Sequence, residues 1–306
     1  MNSNISKPAE KRALFSLIFS MFVFGTIGIF RKYIPLSSGM LAMARGFIGA
    51  AFLLLVIFAR RQKLSGEAIK KNLFLLVASG ICIGFNWILL FEAYRYTTVA
   101  TATLCYYLAP IFVILVSPVV LKERISPKKL GCVLVALVGM VFVSGVLNAG
   151  FTGLNELKGV LFGLGAAVLY ASVIVMNKKL MDISAYDKTI VQLICAAVVL
   201  VPYVLWTGEL STVVWEARTV LLVLVVGVLH TGLSYALYFG SMAYLKAQTV
   251  AIFSYIDPMV AIFLSAIVLK EGMDGLTLLG AVMILGAAFV SELPDKKHFF
   301  VEKQAQ

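Results

Sequence analysis

The sequence predicts an all-α membrane protein of ten transmembrane helices, arranged as two inverted five-helix repeats. Three observations predict it. The 306 residues are 61% hydrophobic and only 13% charged, about half the charged fraction of an ordinary soluble domain, so polar side chains are too few to cover a water-facing surface. Apolar runs long enough to cross a hydrocarbon core of about 30 Å recur along the chain. Finally, the second half of the chain repeats the first.

The spans follow in order at 13–31, 38–59, 73–92, 98–121, 128–147, 158–177, 188–206, 218–240, 247–269 and 275–292. One such run could be a buried core helix of a soluble protein; the series cannot. The first is preceded by Lys7, Lys11 and Arg12 and superficially resembles a signal peptide. Its apolar run outlasts a typical h-region of about 7–15 residues and lacks a small-x-small cleavage site, so it reads as an uncleaved span. The longest loops, near 61–72, 148–157 and 207–217, leave no room for a soluble domain, and the tail from Pro294 is polar. The domains are therefore expected at 13–147 and 158–292.

Lysine and arginine sort to one side of these spans. Nineteen fall on the side that includes Lys7, Arg60, Lys128, Lys178 and Lys246, against six on the other: Arg31, Lys32, Arg95, Lys158, Arg218 and Lys270. The positive-inside rule then puts both termini in the cytoplasm of a cell whose cytoplasmic membrane holds the chain, which requires an even number of spans. The net charge of +11 is explained by that topology, and a nucleic-acid partner is unsupported. The four cysteines (Cys82, Cys105, Cys132, Cys195) have no zinc or redox spacing and sit in apolar runs as small hydrophobes.

Placing residues 91–123 over 239–271, an offset of 148, matches 11 of 33 positions without a gap. The identities include Tyr107/Tyr255, Pro110/Pro258 and the run Leu121-Lys122-Glu123 over Leu269-Lys270-Glu271. Five spans per repeat is an odd number, so the halves lie in the bilayer with opposite orientations. Such inverted repeats have two nearly equivalent packings, one open to each side, which is the basis of alternating access.

Two stretches, "YRYTTVATATLCYYLAPIFVIL" with "LKERISPKKLGCVLVALVGMV" in the first half and "LHTGLSYALYFGSMAYLKAQTVAIFSYIDPMVAIFLSAIVLKE" in the second, resemble the EamA domain of the drug/metabolite transporter superfamily. The resemblance covers nearly the whole chain. It implies a ten-helix secondary transporter with a central cavity lined by both halves, for a small metabolite such as an amino acid, and often an exporter. Small multidrug-resistance relatives carry a glutamate in their first helix that binds protons and cations. Span one here has no acidic residue between Ala13 and Phe30, so that mechanism does not carry over directly.

Ionisable and polar groups deep in a bilayer are functional candidates by default. Arg45, in span two, serves either as an anchor or as a partner for substrate. His230, Ser234 and Tyr238 follow i, i+4, i+8 on one face of span eight, and His230 is a proton-coupling candidate or a histidine satisfied by a carbonyl. Asn86 and Trp87 occupy the repeat-equivalent positions of Ser234 and Tyr235; Asn86 suits helix packing or a polar cavity wall, and Trp87 a stacking wall. Asp257 caps groups freed by Pro258, balances Arg45, or faces a proton or cation. Pro110 and Pro258 are expected kinks. Tyr106, Tyr107 and Tyr255 supply hydroxyls and aromatic walls beside them, suited to an apolar pocket with a few polar groups. Gly80/Gly84 and Gly159/Gly163 have the spacing for close helix approach.

No phosphate loop, metal cluster or nucleophile with a placed base occurs in the sequence, so no cofactor, metal or enzymatic chemistry is expected, and transport would run on a substrate or ion gradient. The expected partners are a small-molecule substrate, the lipid bilayer and a coupling proton, with the chain a monomer or homodimer. Rival readings are a membrane sensor or scaffold without flux, an intramembrane enzyme, and uptake in place of export.

Overall fold

The computed structural model describes residues 7–120, 127–143, 154–212, 216–241, 244–245, 253–254 and 256–293, and among these there is helix and no strand. The first half contains α1 (Lys7–Gly25), α2 (Ile27–Tyr33), α3 (Ser38–Ala59), α4 (Gly66–Tyr96), α5 (Val99–Tyr106), α6 (Ala109–Val120) and α7 (Pro127–Val143). The second contains α8 (Leu154–Lys178), α9 (Ala185–Trp206), a short 3-10 turn (Glu209–Thr212), α10 (Ala217–Val225), a π-helical segment (Val226–Leu233), α11 (Ser234–Ser241), α12 (Ile256–Val268) and α13 (Gly275–Glu292).

Among the described residues, six segments are long and apolar enough to cross a bilayer: Ala9–Tyr33, Ser38–Ala59, Gly66–Tyr96, Asn155–Lys178, Ala185–Trp206 and Ala217–Tyr238. Shorter apolar helices at Val99–Val113, Leu130–Gly139, Ile256–Val268 and Gly275–Ala287 accompany them. The surface has the polarity of a lipid-facing exterior. Phe15, Phe58, Phe74 and Val119 stand 71–83% exposed on helix flanks, where water would penalise so large an apolar area. Arg45, Asn86, Gln192 and His230 are buried inside. The chain is a multi-pass membrane protein.

Three expected spans have a more articulated form. Span one is broken at Thr26, whose hydroxyl bonds back to the Val23 carbonyl at 2.8 Å. A side chain on Gly25 would fall 2.5 Å from the Asp257 carbonyl, so the two backbones touch where the helix ends. Span three runs longer than its apolar stretch, because Ser65 accepts the Ala68 N–H and caps α4 in polar sequence. Span four divides at Tyr107–Leu108, just before Pro110, which has no N–H to continue the helical ladder. Of span nine, 247–252 and 255 lie outside the described residues.

Helix packing crosses between the halves throughout. α4 packs on α8 and α9, α3 on α9 and the π segment, α1 on α11 and α12, α6 on α8, α5 on α8 and α12, and α7 on α13. Gly80 and Gly84 make the α4–α9 approach possible. A Cβ at Gly80 would sit 2.5 Å from that of Cys195, and one at Gly84 would sit 2.8 Å from the Ala196 carbonyl.

Candidate functional site

The site is assembled around Arg45. Its side chain is 3% exposed, and its Nε donates to the Thr231 hydroxyl at 2.9 Å. Thr231 in turn donates to the Val226 carbonyl five residues back, at 3.0 Å, a bond suited to the wide π turn. Gly49, one turn along α3 from Arg45, lets the helix reach this turn: a Cβ there would lie 2.6 Å from the Thr231 methyl. The guanidinium lies over the Trp87 ring, 4.4 Å from its centroid, with Phe91 at 5.5 Å.

Trp87 is positioned by α4, and its indole lies near the Tyr235 hydroxyl on α11. Neighbouring Asn86 donates to the Ala166 carbonyl of α8 at 2.6 Å. Across from them, Tyr106 stacks on Tyr170, with centroids 5.1 Å apart and planes inclined by 26°. Phe24 meets Tyr235 edge-on at 5.3 Å. The Tyr107 hydroxyl lies against the Ser254 carbonyl at 3.4 Å and near Asp257, in the first turn of α12.

These groups enclose a cavity of about 430 Å³, a volume suited to a small organic molecule. Its walls are mostly aromatic and aliphatic, with Arg45, Asn86, Asp257 and Gln192 as polar points. It reaches Asn177, Lys178 and Lys188, where α8 runs into α9. At the other end it stops at Ile27, Leu90, Tyr94 and Thr103, short of a polar closure. There, Glu271 pairs with Lys32 at 3.1 Å, and its other oxygen accepts the Val99 N–H at 2.9 Å and the Ser265 hydroxyl at 2.6 Å. Glu209 closes the same end by accepting from Ser37 and the Met40 N–H.

Of the residues singled out from sequence, Arg45, Asn86, Trp87, Tyr106, Tyr107, Tyr235 and Asp257 border this cavity. His230 and Ser234 are not among its lining. Tyr238, expected on the same face, does line the cavity; the inward face of α11 is the one that carries Tyr235 and Tyr238, and the π segment that ends at Leu233 sets the phase of His230 relative to it. His230 is instead turned toward α2. Its Nε2 is 2.8 Å from the Thr26 hydroxyl, and its ring meets Phe30 edge-on at 4.7 Å. Ser234 bonds back to the Leu229 carbonyl at 2.8 Å. Tyr255 lies outside the described residues, Pro110 is the second residue of α6, and Pro258 is buried in the first turn of α12.

Tyr170, Gln192 and Asn177 were not anticipated. Each carries a polar group inside an apolar run, the same signal that marked Asn86. Gln192 donates to Ser79 at 2.7 Å and to Asn177 at 2.8 Å, tying α4, α8 and α9 at the cavity wall. Among the described residues no cluster of histidine, cysteine and carboxylate could hold a metal ion.

Comparison with known proteins places this architecture. The model of the EamA-like transporter family matches residues 11–145 and again residues 157–292. An uncharacterized transporter of Bacillus subtilis (strain 168), YxxF, is 28% identical over 285 residues, covering 92% of this chain and 89% of the relative. A Salmonella typhimurium (strain LT2) protein named as a probable amino-acid metabolite efflux pump is 25% identical over 234 residues, covering 72% and 77%. A solved crystal structure superposes with a TM-score of 0.65 at 17% identity, over 96% of this chain and 99% of that one, which shows a shared fold.

Proposed function

The chain belongs to the EamA-like transporter family, and from that premise we propose that it is a secondary transporter that exports a small amphipathic metabolite of amino-acid type across the cytoplasmic membrane by alternating access. The observation that carries this is the cavity between the halves, walled by α3, α4 and α5 on one side and α8, α9, α11 and α12 on the other. A few polar groups fix orientation, and aromatic rings accept an apolar body.

The inverted ten-helix arrangement is part of the proposal, with repeats at 13–147 and 158–292. Three features support it. Trp87 and Tyr235, repeat mates at an offset of 148, lie near each other, as mates beside a twofold axis between the halves would. The packing also maps onto itself when the halves are exchanged: α4 on α8 becomes α11 on α1, and α4 on α9 becomes the π segment on α3. Ser37 and Ser184, 147 residues apart, cap α3 and α9 in the same way.

With both termini cytoplasmic, the mouth at Lys178 and Lys188 faces inward and the Lys32–Glu271 closure faces outward. Rocking the halves would exchange these states. Asp257, in the cavity wall, is the proposed proton-coupling group. His230, behind the wall, is proposed to position α2. The name of the Salmonella relative supports an amino-acid cargo and the outward direction.

The test is counterflow in sealed liposomes holding the purified chain, with labelled amino acids, nucleosides and quaternary amines as probes. Saturable uptake that depends on unlabelled probe inside is expected for at least one amino acid. Absence of flux for every probe under an imposed gradient would overturn the proposal in favour of a sensor or scaffold.

A further inference from the structure

Two buried arginines lie among the described residues of the first half, and they are used differently. Arg31 spends its Nη groups on the structure, donating to the Ile34 carbonyl at 3.1 Å and to the Ser38 hydroxyl at 3.2 Å. Arg45 gives one face to Trp87 at 4.4 Å and its Nε to Thr231 at 2.9 Å. Its two Nη groups have no hydrogen-bond partner among the described residues, and neither is a sealed, unpartnered atom, so they open onto the cavity that Arg45 lines. No ion pair joins Arg45 to Asp257, the acidic residue of the cavity lining.

A guanidinium stacked on its face and held at Nε presents the remaining fork edge-on, the geometry that takes both oxygens of a carboxylate. An uncompensated buried cation is costly unless a ligand supplies the counter-charge. The rest of the lining points the same way. Lys178 and Lys188 stand at the mouth, so an anion entering there meets three cationic residues and one acidic residue, a field that concentrates anions.

We propose that Arg45 is the carboxylate anchor of the cavity, and that the substrate is an organic acid, amino acids included, whose carboxylate docks on the Nη fork. This rests on the transport reading above and narrows its substrate class. Thr231 is a positioning residue, holding the fork's direction through Nε without touching the ligand.

The experiment uses the full chain in liposomes and matched probes that differ only at the acid group: L-phenylalanine against L-phenylalaninamide, and L-leucine against L-leucinamide. Counterflow and ligand-induced thermal shift are measured for wild type, R45Q, R45K and T231V. Wild type is expected to prefer the acid of each pair by at least tenfold. R45Q is expected to weaken acid binding by about 10- to 100-fold, the range for hydrogen bonds to a charged group, and so to lower the acid-to-amide ratio. R45K should fall between, keeping the charge and losing the fork, and T231V should lower the acid-to-amide ratio by less than R45K.

Wild type that prefers the amides, or an acid-to-amide ratio unchanged in R45Q, would overturn the anchor. If R45Q does not yield monodisperse protein, an unchanged ratio in both R45K and T231V would overturn it equally. Flux of the amides with the acids ignored removes the anchor and leaves the transport reading standing, whereas flux of no probe at all removes both.

Discussion

Replacing Glu271 by glutamine tests whether the polar closure at the Lys32 end holds one conformation of the transporter. Glu271 binds three groups from separate elements: Lys32 in the last turn of α2, the Val99 N–H at the start of α5, and Ser265 on α12. The Val99 N–H is one of the orphan donors of a helix start, so an acceptor there matters. Glutamine can still accept from Val99 and Ser265 but loses the charge. The ion pair with Lys32 is partly exposed, at 32% and 15%, and is worth about 0.5 kcal/mol. Turning the charge-assisted hydrogen bond to Val99 into a neutral one costs about 0.7 kcal/mol, since the former is roughly twice as strong, whereas Ser265 belongs to the same half as Glu271 and its bond does not bias opening.

The total is about 1.2 kcal/mol, which shifts the equilibrium toward opening at this end by about 8-fold. The readout is the reaction of T103C with a membrane-impermeant thiol reagent added from the Lys32 side, after replacement of Cys82, Cys105, Cys132 and Cys195. Thr103 is 3% exposed and lines the far end of the cavity, so its reactivity reports opening. The rate should rise by about 8-fold with E271Q and stay level with E92Q, whose ion pair with Arg95 lies on the outside of α4. A change below about threefold with E271Q, or an equal rise with E92Q, would refute the reasoning.

Trp87→Ala should destabilise the protein by about 3–5 kcal/mol, the cost of removing a fully buried indole, whereas Trp87→Phe, which keeps an aromatic ring in the same place, should cost about 1 kcal/mol; thermal unfolding in detergent measures both. Gly80→Leu should be destabilising by at least about 1–3 kcal/mol, because its Cβ meets Cys195 and the Gln192 carbonyl; a Tm equal to wild type would mean that α4 and α9 do not approach as described. The two helix caps should differ under alanine. Ser184→Ala should cost about 1 kcal/mol, and Ser37→Ala less, because Glu209 already accepts the Met40 N–H at 3.0 Å. His230→Asn should lower stability by about 1 kcal/mol through its contact with Thr26 and leave substrate affinity in counterflow unchanged; a large loss of affinity would place His230 on the pathway after all.

Much of the site was legible because a polar side chain inside an apolar run has few places to go. Arg45, Asn86, Trp87, Tyr106, Tyr107, Tyr235 and Asp257 all met that condition, and all border the cavity. His230 and Ser234 met it too, yet they face elsewhere. Which way a side chain points depends on helical phase: α11 turns Tyr235 and Tyr238 inward and Ser234 away, and the π turn sets the phase of His230. That turn packs against α3 through Gly227 and Gly232, where a Cβ would come within 2.5 Å of Ile48 and Phe52. A contact between residues so far apart in the chain leaves no local trace in either segment.

By itself the sequence determined that the chain crosses a membrane many times and repeats itself, because run length, charge bias and self-similarity are properties of neighbouring residues or of one fixed offset. Only the tertiary structure decided where span one breaks, which face of span eight looks inward, and that Glu271 reaches Lys32 and Val99. It also decided that Arg45 keeps its Nη fork for the cavity while Arg31 does not. Both are arginines in apolar surroundings, and what separates them is which backbone carbonyls and hydroxyls the fold brings within about 3 Å, the reach of a hydrogen bond.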